Sequence, residues 1–145
     1  MAQTATNKYK FLLATGAVVP GTTDMRMGLL KQLAAHTNVP DLNTVADMEA
    51  HADFAELTAS GYARVALTSE AATEDDTNDW ALIDSDNVAF AAISAGETIV
   101  GAFIYDHAGG ADSSRNLYGI YELTSTPTNG GTVTVTTANG FTKLT

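Results

Sequence analysis

At 145 residues the chain is long enough for one domain with its own core, and its 45% hydrophobic content argues against disorder throughout. A net charge of −10, seven Lys and Arg against 17 Asp and Glu, excludes nucleic-acid binding by a basic face. Cysteine is absent, which excludes disulfides, thiolate metal sites and a cysteine nucleophile.

Residues 1–7 are polar, lack the apolar core of a signal peptide, and read as a flexible arm ahead of a single β-sandwich domain spanning 8–145. Lys8-Tyr-Lys-Phe-Leu-Leu-Ala-Thr15 reads as the first strand, closed by Gly16 and the turn dipeptide Pro20-Gly21. Residues 26–31 read as a second strand. Met25, Leu29, Leu30 and Leu33 also fit one side of a helix, and periodicity leaves both open. Pro40 ends whatever precedes it. The clearest helical signal starts at Asn43 or Thr44 and runs to Leu57. Thr44 and Asp47 stand at capping-box spacing, and Val45, Met48, Ala52, Phe54, Ala55 and Leu57 supply the apolar pattern. The segment forms one short helix or two turns with an irregular section, and Gly61 stops it.

Residues 62–68 return to strand character, and 70–79 read as an acidic, Thr-rich loop carrying Glu74, Asp75, Asp76 and Asp79. A short strand at 80–83, a turn at 84–87 and a strand at 88–90 follow. The last third is strand and turn in alternation, with strands at 97–105, 117–123, 132–137 and 141–144. Gly109-Gly110-Ala111-Asp112-Ser113-Ser114 and Asn129-Gly130-Gly131 separate them as loop and hairpin chemistry. About eight short strands with one short helix predict a mainly β fold, an antiparallel β-sandwich or jelly-roll-like barrel. Abundant β-branched Thr suits pleated, half-exposed surfaces. No segment reaches the apolar length that spans a membrane.

Candidate chemistry is sparse. His36, His51 and His107 have no metal-ligand spacing between any two of them. Asp106-His107 has the composition of a base and its orienter, but neighbours on a strand point to opposite faces. Ser113-Ser114 lies in a Gly-rich loop without a nucleophile elbow or a base. Glu74, Asp75, Asp76 and Asp79, and Asp84 with Asp86 and Asn87, carry oxygen ligands suited to Ca²⁺. Neither set matches a twelve-residue calcium loop, and a solvated acidic loop and an Asx turn account for both. Paired carboxylates for glycoside hydrolysis lack an aromatic sugar platform, since Trp80 is the only Trp. Gly109-Gly110-Ala111 has no Lys-Ser/Thr pair to make it a phosphate cradle. Phe90, Phe103, Tyr105, Tyr118, Tyr121 and Phe141 fall in strands and read as core. The expectation is a non-enzyme with no catalytic, cofactor-binding or metal-binding residues and no cofactor.

Eight segments together resemble a family of small β-rich virion proteins of tailed bacteriophages. They are residues 8–16, 25–30, 61–67 and 83–90, then Gly101-Ala-Phe-Ile-Tyr-Asp-His107, Leu117-Tyr-Gly-Ile-Tyr121, Asn129-Gly-Gly-Thr-Val-Thr-Val135 and Gly140-Phe-Thr-Lys-Leu-Thr145. The C-terminal segments match best, and residues 32–60 depart by being longer and more helical. The resemblance covers most of the chain and rests on strand and turn motifs. It implies a capsid decoration (cement) or head-fibre protein, made in a bacterial cytoplasm and resident on the virion surface. Its implied partners are the major capsid protein and further copies of itself, as a dimer or trimer, with neither nucleic acid nor membrane. The arm at 1–7 and the strand edges are the expected shell contacts. A reading from another class is a fibre-tip or carbohydrate-binding module that uses the loops at 74–79 and 106–115.

Overall fold

A computed structural model of the protein describes residues 3–77, 80–107, 110–137 and 140–144. Its centre is a six-stranded antiparallel sheet. In chain order these strands are β1 (Gln3–Ala5), β2 (Met25–Leu33), β3 (Phe54–Glu56), β4 (Val65–Ala66), β8 (Thr98–Asp106) and β9 (Leu117–Pro127). They run β1-β9-β8-β2-β3 across the sheet, and β4 pairs with β2 beside β3. Two smaller antiparallel sheets accompany it. One joins β5 (Ala71–Asp75), β6 (Trp80–Asp84) and β11 (Thr142–Leu144) in the order β11-β6-β5. The other pairs β7 (Val88–Phe90) with β10 (Val133–Val135). The fold is mainly β and sandwich-like, as expected, and it is not a closed barrel.

The central sheet is buried on both faces. On the first, Met25, Met27 and Leu29 of β2 and Ala102 and Ile104 of β8 pack against Ile83, Val88, Phe90, Val135 and Phe141 from the small sheets. On the second, Leu30, Phe103, Tyr105, Leu117 and Ile120 pack against Val39, Leu42, Val45, Met48 and Phe54. This explains why β8 reads as an almost unbroken apolar run. A strand covered on both faces has no polar side to alternate with.

Residues 8–15 correct the sequence reading: they form helix α1 (Asn7–Ala14) and its C-cap Thr15, not a strand. A strand would place Tyr9 and Phe11 on one face. In the structure Tyr9 is fully buried while Phe11 is 60% exposed, and Leu12 and Leu13 pack with Tyr9 against the core. That is helical spacing. Thr6 decides the matter. Its hydroxyl accepts from Tyr9 N at 3.0 Å as the helix N-cap and donates to Leu117 O at 2.6 Å. The expected arm is likewise corrected, because Gln3–Ala5 pair with β9 and Thr6 is buried. Met1 and Ala2 lie outside the described residues.

Two further boundaries differ. Helix α2 is Val45–Ala50, with the Thr44–Asp47 capping box formed as expected, and it ends at His51 rather than Leu57. Residues 54–56 leave the helix because the upper half of β2 needs an edge partner: Leu33 pairs with Phe54 and Leu30 with Glu56. The expected acidic loop at 70–79 contains β5, paired to β6 from Ala71–Asp84 to Asp75–Trp80. Carboxylates are tolerated there because β5 is an edge strand in solvent. Asp79 lies outside the described residues.

Thr6→Ala removes a helix cap and a buried hydrogen bond together. Denaturant unfolding should show a loss of about 1–2 kcal/mol. A flexible arm ahead of a strand at 8–15 would show almost none.

Candidate functional site

The densest group of charged side chains lies on the second face of the sheet, centred on Arg64. The gap between β3 and β4 on the edge of β2 positions it. There Leu29 N donates to the Tyr62 hydroxyl at 2.9 Å, and that hydroxyl donates to Glu56 Oε1 at 2.6 Å. Tyr62 thus fills the missing rung between the two strands, and the chain carries Arg64 back over the sheet. Gly28 leaves the room beneath, since a Cβ there would strike the Phe103 ring and approach the Tyr62 hydroxyl at 3.0 Å.

Three carboxylates surround the Arg64 guanidinium. Glu56 accepts from Nε at 2.8 Å and Nη2 at 2.6 Å, Asp112 from Nη1 at 2.6 Å, and Glu49 from Nη2 at 2.7 Å. The guanidinium carbon also lies 5.2 Å from the Phe103 ring centroid and 5.1 Å from that of Tyr105, a cation–π contact to two stacked rings. Arg115 donates to Asp112 at 2.7 Å and sits 5.6 Å from the Tyr105 centroid. These partners come from α2, β3, the 112–115 turn and the sheet. The group is a knot tying four segments together.

Its electrostatics follow from crowding. Burial pushes the Asp112 carboxyl up, but hydrogen bonds from Arg64 and Arg115 outweigh this and hold it below its ordinary value. Glu49 goes the other way: burial and neighbouring Asp112 raise it more than Arg64 lowers it. Burial opposes the charge on Arg64, yet hydrogen bonds to Glu56 and Asp112 keep it more firmly protonated than an ordinary arginine.

Two other carboxylates also tie segments. Glu97 accepts from Lys31 Nζ at 2.6 Å, from Thr58 N and Oγ1 at 2.8 and 2.7 Å, and from Ala59 N at 2.7 Å. The Lys31 hydrogen bond, then those of Thr58 and Ala59, outweigh burial and lower its pKa to about 2. Asp106, at the end of β8, accepts from Asn116 N at 2.9 Å and Asn116 Nδ2 at 2.6 Å, closing the loop that follows.

The residues singled out by sequence do not converge. The His107 ring lies edge-on to Tyr105, centroids 6.4 Å apart, and the Asp106 carboxylate is engaged by Asn116 instead. His36 Nδ1 lies 3.4 Å from Thr4 Oγ1, and His51 Nδ1 accepts from Asp53 N at 3.3 Å, at separate places in the fold. Ser114 Oγ donates to Ala111 O within its own turn; Gly109 lies outside the described residues. Asp84 accepts from the neighbouring Ser85 N and Asp86 from Ser69 Oγ, 17 residues away, both at 2.7 Å. Among the described residues no three His, Asp or Glu side chains are placed to hold a metal ion, and no helix is long and apolar enough to cross a membrane. A hollow of about 20 Å³ between Met27, Tyr121, Val135 and Phe141 has room for one water and is apolar.

The chain matches no protein-family model, no curated protein and no solved structure.

Two outcomes are expected. Arg64→Met strands Glu56 without its cation, leaves Asp112 with Arg115 alone, and should cost about 3 kcal/mol in denaturant unfolding; adding Glu56→Gln should recover part of it. Glu97, ordinarily near 4.5, titrates near 2 when folded, so its contribution is complete above pH 4.5 and is lost as pH falls toward 2. Glu97→Gln should flatten the stability–pH curve within that window. An unchanged slope would mean Glu97 is not held by these bonds.

Proposed function

We propose that this protein is a non-enzymatic structural component of a tailed-bacteriophage virion, binding the capsid shell as a decoration protein that stabilises the head, and doing so as a homo-oligomer. The resemblance over most of the chain supports this reading. The observation that carries it is the use made of the polar clusters. Arg64, Glu97 and Asp106 each spend their hydrogen bonds joining separate segments. Charged groups held in mutual bonds stiffen a scaffold, whereas a reaction needs at least one group poised toward a substrate.

One segment of the resemblance takes a different form, since residues 8–16 lie in α1 and the turn that ends it. The matched segments 101–107 and 117–121 coincide with β8 and β9, the paired centre of the sheet. Folding of Gln3–Ala5 into that sheet moves the proposed shell contact from a free arm to the surface of the domain. A glycan-binding reading finds less support. Asp106 and Asp112, the carboxylates of the 106–115 loop, already accept hydrogen bonds from within the chain.

The test is saturation binding of purified protein to tailed-phage shells that lack it, followed by heating of bare and loaded shells. Stoichiometric occupancy and a raised disruption temperature are expected, because a ligand that binds only the intact state stabilises it. Absence from the shell combined with binding to cell-surface glycans would overturn the proposal.

A further inference from the structure

Cations are scarce here, and most are committed. Arg26, Lys31, Arg64 and Arg115 each pair with a carboxylate of the same chain. Among the described residues Lys8 and Lys10 do not, and both lie on α1 beside Phe11. Phe11 is 60% exposed, and Lys8 Nζ lies 6.0 Å from its ring centroid. Helix α1 therefore presents two cations and an aromatic ring on a protein of net charge −10.

The complementary surface is also on the page. Strand β5 is the outer strand of its sheet, exposed from Ala71 to Glu74, and among the described residues its ladder pairs only with β6. On one face of β5 the methyl of Ala72 lies beside the Glu74 carboxylate, with Glu70 just ahead of the strand. Cations flanking an aromatic ring on one surface match carboxylates flanking a methyl on the other. The loop after α1 reaches the start of β5: a Cβ on Gly21 would lie 2.9 Å from Glu70 O. Two complementary patches on one molecule allow a two-fold contact, in which each copy gives one patch and receives the other. Carboxylates along β5 oppose the alternative in which two such edges pair directly.

We propose that this face joins two copies of the chain, α1 of each laid on β5 of the other, with Phe11 over Ala72 and Lys8 and Lys10 against Glu70 and Glu74. The proposal rests on the homo-oligomer part of the role above. It is measured without any shell, so its failure leaves capsid binding untouched, and failure of capsid binding leaves it standing.

Sedimentation of the full chain should show a dimer at about 20 mM salt, with a dissociation constant at least about tenfold weaker at about 500 mM. Lys8→Glu/Lys10→Glu and Glu70→Lys/Glu74→Lys should each be monomeric with unchanged circular dichroism, since none of these four side chains belongs to the core. An equimolar mixture of the two variants should associate again, because opposite charges then meet across the contact. A wild-type chain that stays monomeric at low salt, a dimer indifferent to both reversals, or a mixture that fails to associate would each overturn the proposal.

Discussion

Everything in this fold follows from burying β2, β8 and β9 on both faces. A sheet so placed needs two covers, and the rest of the chain supplies them. The small sheets and α1 close the first face; α2 and residues 39–42 close the second. Neither cover is large. Helix α2 has six residues, and a helix so short has little stability of its own. It holds its place because Val45 and Met48 are fully buried and because its end is tied to Arg64 through Glu49.

The Arg64 knot is the polar counterpart of that arrangement. Burying a guanidinium among carboxylates has a desolvation cost, and the bonds to Glu56 and Asp112 together with two aromatic rings offset it. In exchange, four segments distant in sequence are held in one register. Glu97 and Asp106 repeat the device on a smaller scale, each closing one loop against the sheet. Stability and the proposed structural role thus draw on the same groups. An outer part of a particle benefits from loops that do not open.

The mainly β fold, the last-third strands and the Thr44 capping box were legible from local chemistry. The helix at 7–14 was not, because an apolar segment so short fits both periods. The deciding facts, the Thr6 bond to Leu117 O and the exposure of Phe11, are tertiary. The hairpin at 71–84 was hidden by its carboxylates, which depress strand propensity yet are acceptable at an edge. Arg64 left one faint signal. It is one of only seven cations in an acidic chain, so its position mattered, but its partners lie up to 48 residues away and no spacing rule reaches them.

If Arg64 binds the second cover into one unit, that unit should open as one. Native-state hydrogen exchange across a denaturant series reads this directly. The account predicts that amides of α2 and of residues 114–117 share one opening free energy in the wild type, and that both lose protection together in Arg64→Met. Independent opening in the wild type, or loss confined to one segment in the variant, would contradict it.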